Sequence, residues 1–265
     1  MLEDALQAYY ARDEERDRLA EGLGHIEFLR TLEVIGRSLP AVGSTVADIG
    51  GGPGRYTDWL VEQGFRVVHR DIVELHVNQV RDRHNARIDA ALGDARSLDL
   101  ADNSVDAVLL LGPLYHLATQ SDRVRALREA RRVVRPGGRV YAAAISRWAP
   151  RLHGMLVDRV HKKYPAITDM VDQMEVTGVM LPVDEASFNG YAHTPDQLRN
   201  EAEDAGLVVE QLVSVEGISF ALGDVAARLD DETERALLFD TLRAVESVPE
   251  LLGAGPHMLA VCRTA

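Results

Sequence analysis

Cysteine is almost missing from this chain: Cys262 is the single thiol in 265 residues. One cysteine cannot close a disulfide within the chain, nor supply the several thiolates of a structural zinc centre. It reads as a small hydrophobe near a C-terminal strand, because nothing electropositive surrounds it in sequence to make it a reactive thiol. Long apolar runs are missing too, and none reaches the roughly 20 residues needed to span a bilayer. The opening Met1-Leu2-Glu3-Asp4 is acidic, and no apolar signal core follows it. These absences lead to the expectation of a cytoplasmic protein with no membrane partner. Positive charge is also scarce. Lys and Arg number 29 against 42 Asp and Glu, a formal net charge of −13. Such a surplus repels phosphate backbones, so no nucleic-acid partner is expected. The local exception, the arginine-rich run from Arg123 to Arg132, has helical apolar spacing, which predicts a solvated helix face.

What is present is an ordered alternation. Residues 1 to about 40 read as helix, with Phe28, Leu32, Ile35 and Leu39 forming one apolar stripe that Pro40 ends. From Thr45 onward, β-rich runs at 45–49, 65–69, 88–92, 105–111 and 139–145 alternate with helical stretches at 56–63, 74–84 and 123–134. Strands that alternate with helices and are apolar on both faces predict a parallel sheet covered on both sides. Residues 147–193 are helical in texture and hold Met155, Met170, Met174 and Met180. Thr194-Pro195-Asp196-Gln197 is a capping box with proline at the first helical position, and Gly206 suits the end of that helix. A strand over 207–215, a helical insertion near 224–247 and a last strand at His257–Arg263 complete the chain. The expected parts are a helical cap (1–40), a core (41–146), a helical lid (147–193), and the rest of the core sheet with its insertion (194–265).

The most informative stretch is Val46-Ala47-Asp48-Ile49-Gly50-Gly51-Gly52-Pro53-Gly54-Arg55-Tyr56. A strand ends, a glycine-dense turn follows, and a helix begins. That turn lies where open α/β sheets bind ligands, at the carboxyl end of the first strand. Its G-x-G-x-G spacing differs from the G-x-G-x-x-G of pyrophosphate cofactors, and no phosphate loop with Lys and Ser or Thr is present. Asp48, two positions before the first glycine, suits a ligand with a cationic end.

This stretch resembles motif I of the class I S-adenosylmethionine-dependent methyltransferases. The resemblance covers residues 45–145 well and 194–263 more loosely. It implies an α/β fold: Rossmann-like, doubly wound, with a mostly parallel sheet of about seven strands whose last strand is antiparallel, plus helical cap segments. It implies S-adenosylmethionine as cofactor and S-adenosylhomocysteine as product. Asp48, Gly50, Gly51, Gly52 and Gly54 would form the cofactor loop. Asp71, at the end of the second strand, would accept from both ribose hydroxyls, although its sequence also allows a helix cap. Ile72 would pack on the adenine, Asp94 would accept from its amino group, the Ala95 amide would reach a ring nitrogen, and Leu111 would line the cofactor site.

Gly112-Pro113-Leu114-Tyr115-His116 occupies the place of the [DN]-P-P-[YF] motif of amino-group methylases. Gly112 stands where that motif has Asn or Asp, which argues against that class. His116 is the candidate base, with packing against the cofactor as the other reading. Tyr115, Tyr9, Tyr10 and His193 are candidates for the acceptor site, and His153 is a weaker one. No metal is expected, since no His or carboxylate spacing suggests one. The expected activity is methyl transfer to a small-molecule acceptor, with a protein or peptide acceptor, or a non-catalytic binding module, as alternatives. Either a monomer or a homodimer fits.

Overall fold

The computed structural model describes residue 10, residues 19–182 and residues 189–265. Helix α1 (Gly22–Gly36) leads into β1 (Thr45–Ile49), α2 (Arg55–Glu62), β2 (Arg66–Asp71), α3 (Glu74–Arg81), β3 (Ile88–Leu92) and β4 (Val105–Leu110). Then come α4 (Gln120–Val133), β5 (Val134–Ser146), α5 (Ile167–Thr177), β6 (Val179–Met180), β7 (Gly190–His193) and α6 (Pro195–Asp204). The chain closes with β8 (Val208–Ser214), α7 (Val225–Asp230), α8 (Glu232–Val245) and β9 (His257–Arg263).

Strands β3, β2, β1, β4 and β5 lie side by side in that order and all run parallel. The expected antiparallel last strand is β9, which pairs with β5 over Arg139–Ile145 and with β8 on its other edge. Parallel strands buried on both faces need apolar residues at successive positions, and Val46, Ala47 and Ile49 of β1 are all buried. Phe28, Val34 and Ile35 of α1 and Tyr56 and Leu60 of α2 pack on one face of the sheet. Val124, Leu127 and Ala130 of α4 and Leu198 and Ala202 of α6 cover the other. Helix α6 begins as its sequence predicts: Gln197 N donates to Thr194 Oγ1, and Thr194 N donates to Gln197 Oε1.

Two expectations need correction. Among the described residues the sheet has nine strands rather than about seven, because the hairpin β6–β7 adds to β5 beyond the end of β4. It lies in the stretch read as helical. Gly178 stops α5 in a left-handed conformation, φ 82°, and its carbonyl accepts from Ala192 N, which starts the pairing. Arg123 does not join the solvated arginine face. It is 1% exposed, forks onto Glu201 of α6 and stacks 3.4 Å from the Tyr191 ring centroid. Arg125, Arg128 and Arg131 do face solvent. Cys262 is buried in the sheet core, and that burial pushes its thiol up to about 12.

Among the described residues, no helix is long and apolar enough to cross a membrane.

Candidate functional site

The strand order reverses between β1 and β4, and the loops leaving the carboxyl ends of β1, β2, β3 and β4 converge on one cavity there. Two glycines show why the first loop has its composition. At Gly52, φ is 56° and a Cβ would meet nothing within 4 Å among the described residues, so this backbone faces the cavity. At Gly51 a Cβ would stand 2.6 Å from Asp48 Oδ2, so the loop lies directly on the aspartate. Asp48 itself is 1% exposed and accepts from the Thr57 hydroxyl at 2.7 Å. Thr57 in turn contacts His69 Nδ1 at 3.0 Å. Asp48 therefore braces the loop from below while lining the cavity. Gly54 does not line it. It sits at the N-terminus of α2, where a Cβ would meet Val80.

Asp71 ends β2 with its carboxylate buried in the crevice. Oδ2 accepts from Gly52 N and Oδ1 from Val73 N, each at 2.8 Å. It is not the cap of α3, whose N-cap residue is Val73. His76, in the first turn of α3, is buried with Nδ1 3.4 Å from Asp71 Oδ1, and among the described residues its Nε2 has no hydrogen-bond partner. Burial opposes the charge on Asp71, but the imidazole and the two backbone donors outweigh it and hold the carboxyl below its usual range. Each carboxylate oxygen keeps acceptor capacity after these contacts. An open backbone at Gly52, a carboxylate with spare lone pairs and a buried imidazole with an unpartnered Nε2 together fit a polyhydroxylated ligand. The unsatisfied Nε2 costs about 1–3 kcal/mol until something bonds to it.

Asp94, after β3, is also at the cavity, but Arg96 engages it. The Arg96 amide donates to Oδ1 at 2.8 Å, and the guanidinium donates to Oδ2 at 2.6 Å. Burial would raise the Asp94 carboxyl, and Arg96 overcomes this and lowers it. Ile72, Ala95 and Leu111 line the same cavity.

Tyr10, Tyr115 and His116 form an aromatic wall. Tyr10 Oη lies 2.7 Å from His116 Nε2, and the Tyr115 and His116 ring centroids are 4.8 Å apart. Burial pushes the His116 imidazole down to about 4, with Asp71 opposing the shift. Neutral at physiological pH but weakly basic, it suits a wall better than a base. Tyr9 lies outside the described residues. His193 needs correction: it is wholly buried away from the cavity, bonded through Nε2 to Glu201 at 3.1 Å. Its pairing with Glu201, eight residues on, depends on the angle at which α6 leaves β7. His153 pairs with Asp158 at 3.3 Å, also off the cavity. None of the described residues of 147–193, the expected lid, lines the cavity. The far wall comes instead from Glu27 and Thr31 of α1, Val215 after β8, and His257 of β9.

A Rossmann-like sheet with its cavity at the reversal of strand order, and a glycine loop without a phosphate-binding pattern, define an α/β protein with a ligand crevice suited to a cofactor other than a pyrophosphate. A family model described as a methyltransferase domain matches residues 47–142. An uncharacterized methyltransferase of Mycobacterium tuberculosis is 34% identical over 188 residues, covering 65% of this chain and 75% of that protein. A ubiquinone/menaquinone biosynthesis C-methyltransferase of Acidiphilium cryptum is 38% identical over 114 residues, covering 41% of this chain and 45% of that one. In fold, the chain is similar to an S-adenosylmethionine-dependent methyltransferase of Thermotoga maritima, described as a possible histamine N-methyltransferase. Their TM-score is 0.62 at 18% identity, over 99% of each chain. The chain belongs to the class I S-adenosylmethionine-dependent methyltransferases, and it is an enzyme that uses S-adenosylmethionine.

Proposed function

We propose that this enzyme methylates a small organic acceptor at oxygen, nitrogen or carbon. The observation that carries this reading is the lining of the cavity beyond the strand-end loops, to which Tyr10, Tyr115 and His116 and also Glu27, Thr31 and His257 contribute. A chamber walled by side chains from α1, β9 and the loop after β4 accommodates a small molecule more readily than a folded protein surface. The net charge of −13 disfavours a nucleic acid. Gly112, in place of an amide or carboxylate side chain, removes the group that orients an exocyclic amine.

In this reading Asp71 accepts from two ribose hydroxyls, and His76 stands close enough to share that contact. Ile72 and Ala95 flank the adenine, and Asp94 faces its amino group once Arg96 gives way. The Gly50–Gly52 backbone, braced by Asp48, receives the amino-acid end. S-adenosylmethionine supplies an electrophilic methyl on positive sulfur. The chain must align the acceptor with that carbon and exclude water. A relative is a ubiquinone/menaquinone biosynthesis C-methyltransferase, which supports a small acceptor without choosing its atom.

The test is S-adenosylhomocysteine formation with a cell extract split into small-molecule and macromolecular fractions. Product with the small-molecule fraction is expected. Product with the macromolecular fraction alone would overturn the reading.

A further inference from the structure

His257 lines the cavity, and the buried Glu216 bonds to it from behind. We propose that His257, oriented by Glu216, is the catalytic residue that takes the proton from the methyl acceptor. This rests on the small-acceptor reading above. Strand β9 runs against its neighbours, so its first residue, His257, stands among the carboxyl ends of the parallel strands, opposite Ile145 of β5. It lies two strand positions from β4, roughly 10 Å at ordinary strand spacing, which leaves room for a small acceptor between the crevice and the imidazole.

Glu216 grips His257 at two points. Oε1 lies 2.5 Å from Nδ1, and Oε2 accepts from the His257 backbone N at 3.1 Å. Glu216 is wholly buried. Its carboxylate requires Nδ1 to carry the proton, so Nε2 is the basic nitrogen of this cavity-lining ring. Glu27 of α1 faces the same ring, with Oε2 3.7 Å from Nδ1. Arg30, one turn further along α1, directs its guanidinium to Glu33, Glu246 and the Val215 carbonyl. Two carboxylates beside the ring offset the imidazolium that forms. The step balances: the acceptor atom bonds to the methyl carbon, the carbon–sulfur bond breaks, and its electron pair goes to sulfur. The acceptor's proton goes to Nε2. Acceptors carrying a phenolic or enolic O–H, or an N–H, fit this chemistry.

Two measurements on the full chain decide it. Nitrogen-15 NMR of labelled histidines should find His257 protonated on Nδ1 and bare on Nε2 at neutral pH; the opposite tautomer would overturn the proposal. S-adenosylhomocysteine formation is then followed across pH with a phenol, a catechol and an aromatic amine as probes. The wild-type kcat should fall on the acid side in step with protonation of His257. His257→Gln should lose roughly 10²–10⁴ in kcat and lose that limb, with the S-adenosylmethionine KM little changed. Glu216→Gln should lose part of the rate and move the limb. Full turnover by His257→Gln with the limb intact would overturn the proposal. Absence of wild-type turnover with every small acceptor would instead count against the small-acceptor reading, and the tautomer alone would then decide the role of His257.

Discussion

Adding one methyl group at Gly51 and at Gly52 should have opposite consequences. At Gly52 the new Cβ meets no atom of the described residues within 4 Å, so among them the cost to the fold is the left-handed backbone at φ 56°. That cost is about 1–2 kcal/mol for a non-glycine residue. At roughly 2–4 °C per kcal/mol in a chain of this size, Gly52→Ala should melt only a few degrees lower. Yet its methyl projects into the cavity, beside the amide that donates to Asp71. Affinity for S-adenosylhomocysteine should fall at least tenfold, equivalent to about 1.4 kcal/mol or more. At Gly51 the backbone is not left-handed, but the Cβ would stand 2.6 Å from Asp48 Oδ2 and 2.7 Å from His69 Cε1. Those atoms belong to a buried hydrogen-bonded group, so Gly51→Ala pays an overpacking penalty of about 1–3 kcal/mol and disturbs the brace under the loop. Thermal melting and calorimetric titration of both variants separate the two effects. A Gly52→Ala protein with wild-type affinity would refute the placement of the cofactor against this loop.

Two further perturbations test other parts of the account. The His116 imidazole is held near 4, below its unfolded value of about 6.5, so the fold prefers it neutral. Its contribution to stability is therefore complete above pH 6.5 and is lost as pH falls toward 4, by about 3 kcal/mol in all. Denaturant unfolding at pH 7 and pH 4.5 should show His116→Gln losing less stability on acidification than the wild type; equal losses would contradict the burial argument. Glu201→Ala strands the buried Arg123 and His193, which should cost about 3–5 kcal/mol and lower the melting temperature while leaving S-adenosylhomocysteine affinity within about twofold. A large affinity loss in a folded Glu201→Ala protein would mean that this network reaches the cavity.

The part of the molecule legible in sequence was the part encoded locally. The glycine loop, the strand-end carboxylates Asp71 and Asp94, and the capping box at Thr194 are each a matter of neighbouring residues, and the structure puts each at the expected element. The far wall of the cavity was not legible, because Glu27, Glu216 and His257 meet only when α1, the end of β8 and the start of β9 are brought together. His193 was misread for the same reason, since its burial depends on α6 folding back over it. His76 follows Asp71 closely in sequence, but its burial against that carboxylate depends on how α3 docks on β2. The β6–β7 hairpin was hidden by methionines, which fill helical and irregular packing alike.

The most direct test of the account is the affinity of the full chain for S-adenosylhomocysteine with and without the Asp71 carboxylate. Asp71→Ala would remove the two charge-assisted ribose contacts proposed for this carboxylate, each worth about 1.5–3 kcal/mol before relaxation, and also the support under Gly52. A net loss of about 2–4 kcal/mol, roughly 30-fold to 1000-fold in Kd by calorimetry, is predicted. A folded Asp71→Ala protein that binds S-adenosylhomocysteine as tightly as the wild type would contradict it.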